Sequence, residues 1–103
     1  MQKAHLHLIK WAISKGYTME IWGDGEELDY SGSSYLPAKE AAEACDTADV
    51  ILYKDGEQAG WFYVVNWNKE PAEIISDYTA NAVGDAWQRA YDEQSSEEMC
   101  CNK

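Results

Sequence analysis

The chain has 103 residues, enough for one hydrophobic core and too few for two, because domains cluster near ~100 to 150 residues. Apolar residues make up 46% and aromatics 13%, with five Trp and seven Tyr, which is too much buriable surface for a disordered chain. A formal charge of -11, from 19 acidic against 8 basic side chains, repels phosphate backbones and anionic headgroups, and so argues against direct binding to nucleic acid or to a membrane surface.

Residues 2 to 15 read as a helix, with Ala4, Leu8, Trp11 and Ala12 on one side, Ile9 and Ile13 widening it, and Lys3, His7, Lys10 and Ser14 opposite. Gly16 ends it, because glycine tolerates the left-handed conformation that follows many helices. Tyr17, Met19 and Ile21 alternate with Thr18, Glu20 and Trp22, the period of a strand with one face on the core. Gly23-Asp24-Gly25 turns the chain into a second strand through Glu27, Leu28, Asp29 and Tyr30. A Ser-Gly-Ser-Ser loop then leads to Pro37, a favourable first helical residue, and to a short helix with Ala38, Ala41, Ala42 and Cys45 on one face.

Asp49 to Lys54 is a β-rich run, Asp55-Gly56 the strongest two-residue hairpin signal, and Gln58 to Asn66 the returning strand. Pro71 opens a last helix, whose apolar face (Ile74, Ile75, Tyr78, Ala82, Val83, Ala86, Trp87, Ala90, Tyr91) reaches about residue 92; Thr79 and Asn81 are good caps should it break between Tyr78 and Asn81. The expected fold is α+β: a single four-stranded, mainly antiparallel sheet with helices on one face, in the order α-ββα-ββα. It occupies residues 1–92, and residues 93–103 form a flexible polar tail. Asp24-Gly25-Glu26 and Asp55-Gly56-Glu57, like Pro37-Ala38 and Pro71-Ala72, are spaced as in two repeated units, although such turns also recur by chance.

The enzyme signatures are missing. His5 and His7 point about 200° apart on a helix and cannot grip one metal, and His7 shares a stripe with Lys3 and Lys10, the setting of a solvated residue. Cys45, Cys100 and Cys101 form no disulfide framework, and the adjacent pair in the tail lacks a group to lower its pKa. The acids from Asp24 fail the calcium-loop pattern, which requires Gly at the sixth position and Glu at the twelfth, where Asp29 and Tyr35 stand. No catalytic residue, metal ligand or cofactor is therefore expected. An N-terminus broken by His5, His7 and Lys10, and the lack of any apolar run near ~18 to 20 residues, lead to the expectation of a cytoplasmic protein.

Charge is the remaining signal. Residues 20 to 57 hold eleven acids against Lys39 and Lys54, whereas residues 1 to 19 carry only lysines. Strand alternation puts Trp22 beside Glu20, away from the core, where an aromatic flanked by carboxylates suits a basic, partly apolar partner. The expected partner-binding residues are Glu20, Trp22, Asp24, Glu26, Glu27, Asp29, Glu40 and Glu43.

Gly16-Tyr17-Thr18-Met19, Trp22 to Glu27, Asp55-Gly56 through Gly60-Trp61, and Ile75 to Asn81 resemble segments of a recurrent type of small, uncharacterised protein encoded by tailed bacteriophages. The resemblance implies no activity and carries over no functional residue. It does imply a context, in which small acidic proteins of mobile elements act on host machinery. The expected function is a protein-binding module that inhibits a host nucleic-acid-binding protein by occluding its basic surface, as a nucleic-acid mimic of the anti-restriction or anti-CRISPR kind. The competing expectation is a structural or assembly accessory whose acidity serves only solubility. The sequence carries no signal for an oligomeric state.

Overall fold

A computed structural model of the chain describes residues 3–23, 27–44, 46–70, 74–79 and 81–101, with side chains in the last helix described as far as Glu93. The first helix, α1 (Ala4–Ser14), buries Ala4, His5, Leu8, Ile9 and Ala12. It ends as expected at Gly16, whose φ is 83°. The Gly16 N–H donates to the Ile13 carbonyl and the Tyr17 N–H to that of Ala12, which satisfies two carbonyls the helix end would leave bare. Tyr17 then lies against Trp11, ring centroids 5.7 Å apart, closing the turn with an apolar contact.

The strands β1 (Thr18–Gly23) and β2 (Glu27–Gly32) are followed by α2 (Tyr35–Glu43), β3 (Thr47–Lys54) and β4 (Glu57–Val65). The turn between β3 and β4 is the Asp55-Gly56 pair, with φ of 55° and 81°, as a tight primed hairpin turn requires at both central positions. Among the described residues the strands form one antiparallel sheet ordered β2-β1-β3-β4-β5, with β5 spanning Ile75–Tyr78. The two hairpins thus meet at β1 and β3, in register from Thr18 opposite Tyr53 to Gly23 opposite Ala48.

Period-two alternation divides the sheet cleanly. Met19 and Ile21 of β1, Ala48, Val50 and Leu52 of β3, Phe62 and Val64 of β4 and Ile75 of β5 are buried, in one cluster with Leu8, Ile9, Ala12, Ala38, Ala42, Trp87 and Tyr91 of the helices. Helix α2 presents Ala38, Ala41 and Ala42, small enough to lie close over β1, β2 and β3, while the last helix, α3 (Ala82–Cys101), packs on β4 and α1. The helices therefore share one face of the sheet, as expected.

The fifth strand corrects the expected four. Ile74, Ile75 and Tyr78 read as helical from their spacing, but a short apolar run does not separate helix from strand. Here Ile75 pairs with Val64, Asp77 with Tyr63 and Tyr78 with Phe62, so β5 satisfies the backbone edge that β4 would otherwise expose. The expected helix from Pro71 is thereby shortened at its start to Ala82, and Pro71 itself lies outside the described residues. Asn81 caps it: its Oδ1 accepts from the Gly84 N–H at 3.0 Å, and its Nδ2 donates to the Ala59 carbonyl at 3.0 Å. Gly84 packs so closely that a Cβ there would collide with the Thr79 carbonyl and the Tyr78 ring. The helical backbone of α3 continues through the stretch expected as a polar tail, to Cys101.

Candidate partner-binding face

The face of the sheet opposite the helices is built by the other half of each alternation. Residues directly opposite in an antiparallel pair share a face, so the register sets out its rows. Leu28, Trp22, Asp49, Tyr63 and Asp77 follow one another across β2, β1, β3, β4 and β5. The adjoining row is Ser31, Glu20, Ile51 and Trp61, and beyond it lie Thr18 and Tyr53. None of these side chains belongs to the core cluster or packs against it.

Aromatic surface dominates this face. The Trp61 and Tyr63 rings are stacked, centroids 6.1 Å apart and planes inclined by 24°; together with Trp22, Ile51 and Tyr53 they are half-buried by their neighbours. Trp22 Nε1 is shielded from solvent and has no hydrogen-bond partner among the described residues. Leu28, 46% exposed, extends the apolar strip to the edge strand.

The charges are all of one sign. Glu20, Asp49 and Asp77 stand on the face, and Lys and Arg stand at none of the register positions in these rows. The bases lie elsewhere: Lys3, Lys10 and Lys15 in or beside α1, Lys39 on α2, Arg89 on α3 and Lys69 after β4, while Lys54 Nζ donates to the Lys15 carbonyl at 3.2 Å. Tyr53 donates its hydroxyl to Glu20 Oε1 at 3.0 Å, and that hydrogen bond holds the phenol above its ordinary pKa. Glu20 is thereby fixed in place, with its remaining lone pairs open to a partner.

The residues expected from sequence to bind a partner do not fall together. Glu20 and Trp22 lie on this face. Glu27 and Asp29 lie on the edge strand β2, where Asp29 Oδ2 accepts from the Gly23 N–H at 3.1 Å. Glu40 and Glu43 are on α2, in the helix layer on the other side of the sheet. Asp24 and Glu26 lie outside the described residues. Grouping acids by position along the chain leaves out Asp49 and Asp77, which stand with Trp61 and Tyr63 in the same rows as Glu20 and Trp22. Their signal was present in the hairpin alternation, where Phe62 and Val64 turn inward and Trp61 and Tyr63 must turn outward.

Both histidines serve the helix layer. His5 is buried and its Nε2 lies 2.6 Å from Glu43 Oε2, with Lys39 Nζ on the other oxygen at 3.1 Å. Burial holds His5 below its ordinary pKa against the opposing pull of Glu43. Burial pushes Glu43 up, but its hydrogen bonds from His5 and Lys39 outweigh this and leave the carboxyl below its ordinary value. His7, expected to be a solvated surface residue, is half-buried: its Nδ1 accepts from Trp87 Nε1 at 3.1 Å and its ring lies edge-on to Tyr91. One histidine reaches α2 and the other α3. Among the described residues no three His, Cys, Asp or Glu side chains gather as a metal-binding group, and no helix is long and apolar enough to cross a membrane.

Comparison with family models, with curated proteins and with solved structures finds no match.

Proposed function

We propose that this chain is a non-catalytic protein-binding module, of the kind encoded by phages and other mobile elements, that inhibits a host nucleic-acid-binding protein by covering its basic surface. The observation that carries this reading is the segregation of the sheet's open face, where Trp22, Ile51, Trp61 and Tyr63 share the surface with Glu20, Asp49 and Asp77 and, among the described residues, with no base at the register positions of these rows. A surface that binds nucleic acid combines aromatics with lysine and arginine. Here the aromatics are kept and the charge is inverted, which is what the groove of such a protein would meet as a complement. The net charge of -11 adds long-range attraction to a basic groove, which speeds encounter at low salt.

The test is capture of bacterial lysate proteins on the immobilised chain at low and high salt, followed by elution with duplex or single-stranded DNA. The expected outcome is a nucleic-acid-binding protein that is retained at low salt, released as ionic strength rises and displaced by the nucleic acid. Retention of a structural protein that neither salt nor DNA displaces would contradict inhibition by mimicry and favour an assembly accessory.

A further inference from the structure

Within that reading, on which this inference rests, the open face also selects the kind of cation. Tyr63 stands in register between Asp49 on β3 and Asp77 on β5. Neighbouring strands are about 4.8 Å apart, so an aspartate stands in register on each side of Tyr63, and Asp77 Oδ1 accepts from the Tyr78 N–H at 2.9 Å. The Trp61 ring is stacked on that of Tyr63, so each ring keeps one face that the other does not cover, and Glu20 and Ile51 stand in the row of Trp61. No basic side chain of the described residues stands in these rows to neutralise them.

An aromatic ring face with carboxylates at the neighbouring register positions complements a planar cation whose donors point outward in its own plane. Guanidinium has that shape: it stacks on aromatic faces and gives paired N–H bonds to carboxylates. An ammonium group is a compact, strongly hydrated point charge that gains the Coulomb attraction but not the stacking. We infer that the platform of Trp61 and Tyr63 with Asp49 and Asp77 is an arginine-binding site, and that its occupant is an arginine-bearing segment of the partner protein. Such side chains contact phosphates and bases in proteins that grip nucleic acid, so the site seizes the groups the partner needs for its own ligand.

Peptides of seven arginines, seven lysines and seven glutamines test this by calorimetric titration into the intact protein at low salt. The arginine peptide is expected to bind roughly tenfold tighter than the lysine peptide, and the glutamine peptide not measurably. Tyr63→Leu should erase the preference while leaving lysine affinity nearly unchanged, and D49N/D77N should weaken both cationic peptides. Should Tyr63→Leu fail to fold, proton shifts on the wild-type protein decide: arginine δ-methylenes move upfield over the rings, and lysine ε-methylenes do not. Equal binding of the arginine and lysine peptides, both dependent on Asp49 and Asp77, would overturn the arginine site and leave the basic-partner reading standing. Equal, weak binding of all three peptides would overturn both.

Discussion

His7 and Trp87 share one hydrogen bond across the contact of α1 with α3, and its direction fixes the state of the imidazole. The indole Nε1 can only donate, so His7 Nδ1, 3.1 Å away, must carry a lone pair. Protonation would set two N–H groups against each other, and burial together with the charge of Lys10 already holds His7 below its ordinary 6.5. As pH falls the unfolded chain therefore takes up the proton first. The contribution of His7 to stability is complete above about pH 6.5 and is lost as pH drops through the depressed folded value. Urea unfolding at about pH 7.5 and pH 5.5 should show His7→Gln losing less stability across this interval than the wild type. His5, shifted in the same direction, keeps its share in both proteins, and the general relief of charge repulsion cancels in the comparison. At the N-terminus of α3, Asn81→Ala removes the cap on Gly84 and should cost about 1 kcal/mol by thermal unfolding.

At the level of elements, the strongest local signals were also the most legible. Asp55-Gly56, Gly16 and the alternation of Met19 and Ile21 each follow from backbone chemistry that needs no tertiary partner. Gly56→Val should cost about 1 to 2 kcal/mol, because its φ of 81° forces a β-branched residue into the left-handed region. β5 was illegible for the opposite reason. Its four residues become a strand only because β4 offers Tyr63 and Val64 as partners, and no window of the sequence contains that edge. Gly84 illustrates the same limit, since a glycine in a helix interior ordinarily only weakens the helix. In the fold it is the position at which α3 clears Tyr78 and Thr79, and Gly84→Ala should lower stability by roughly 1 to 3 kcal/mol through overpacking. A rise in melting temperature in that variant would show that the close approach is not needed.

Across the whole molecule, charge and aromatic surface are sorted by layer rather than by stretch of sequence. The acids of residues 20 to 57 look like one block in the chain, yet β1 and α2 send Glu20 and Glu43 to opposite sides of the sheet. Two residues of the candidate face were legible, because Glu20 and Trp22 follow from the alternation of β1 alone. Asp49, Trp61, Tyr63 and Asp77 join them only through the pairing of β1 with β3 and of β4 with β5, a long-range fact. The central claim is that this face, rather than overall acidity, binds a basic partner. Two triple variants test it most directly: E20Q/D49N/D77N on the open face and E40Q/D92N/E93Q on the helices, each removing three negative charges from side chains outside the core. Partner binding is measured for both at the same ionic strength. The open-face variant should lose it, by about tenfold or more, while the helix variant binds as the wild type does. Equal losses in the two, or a loss confined to the helix variant, would contradict the account.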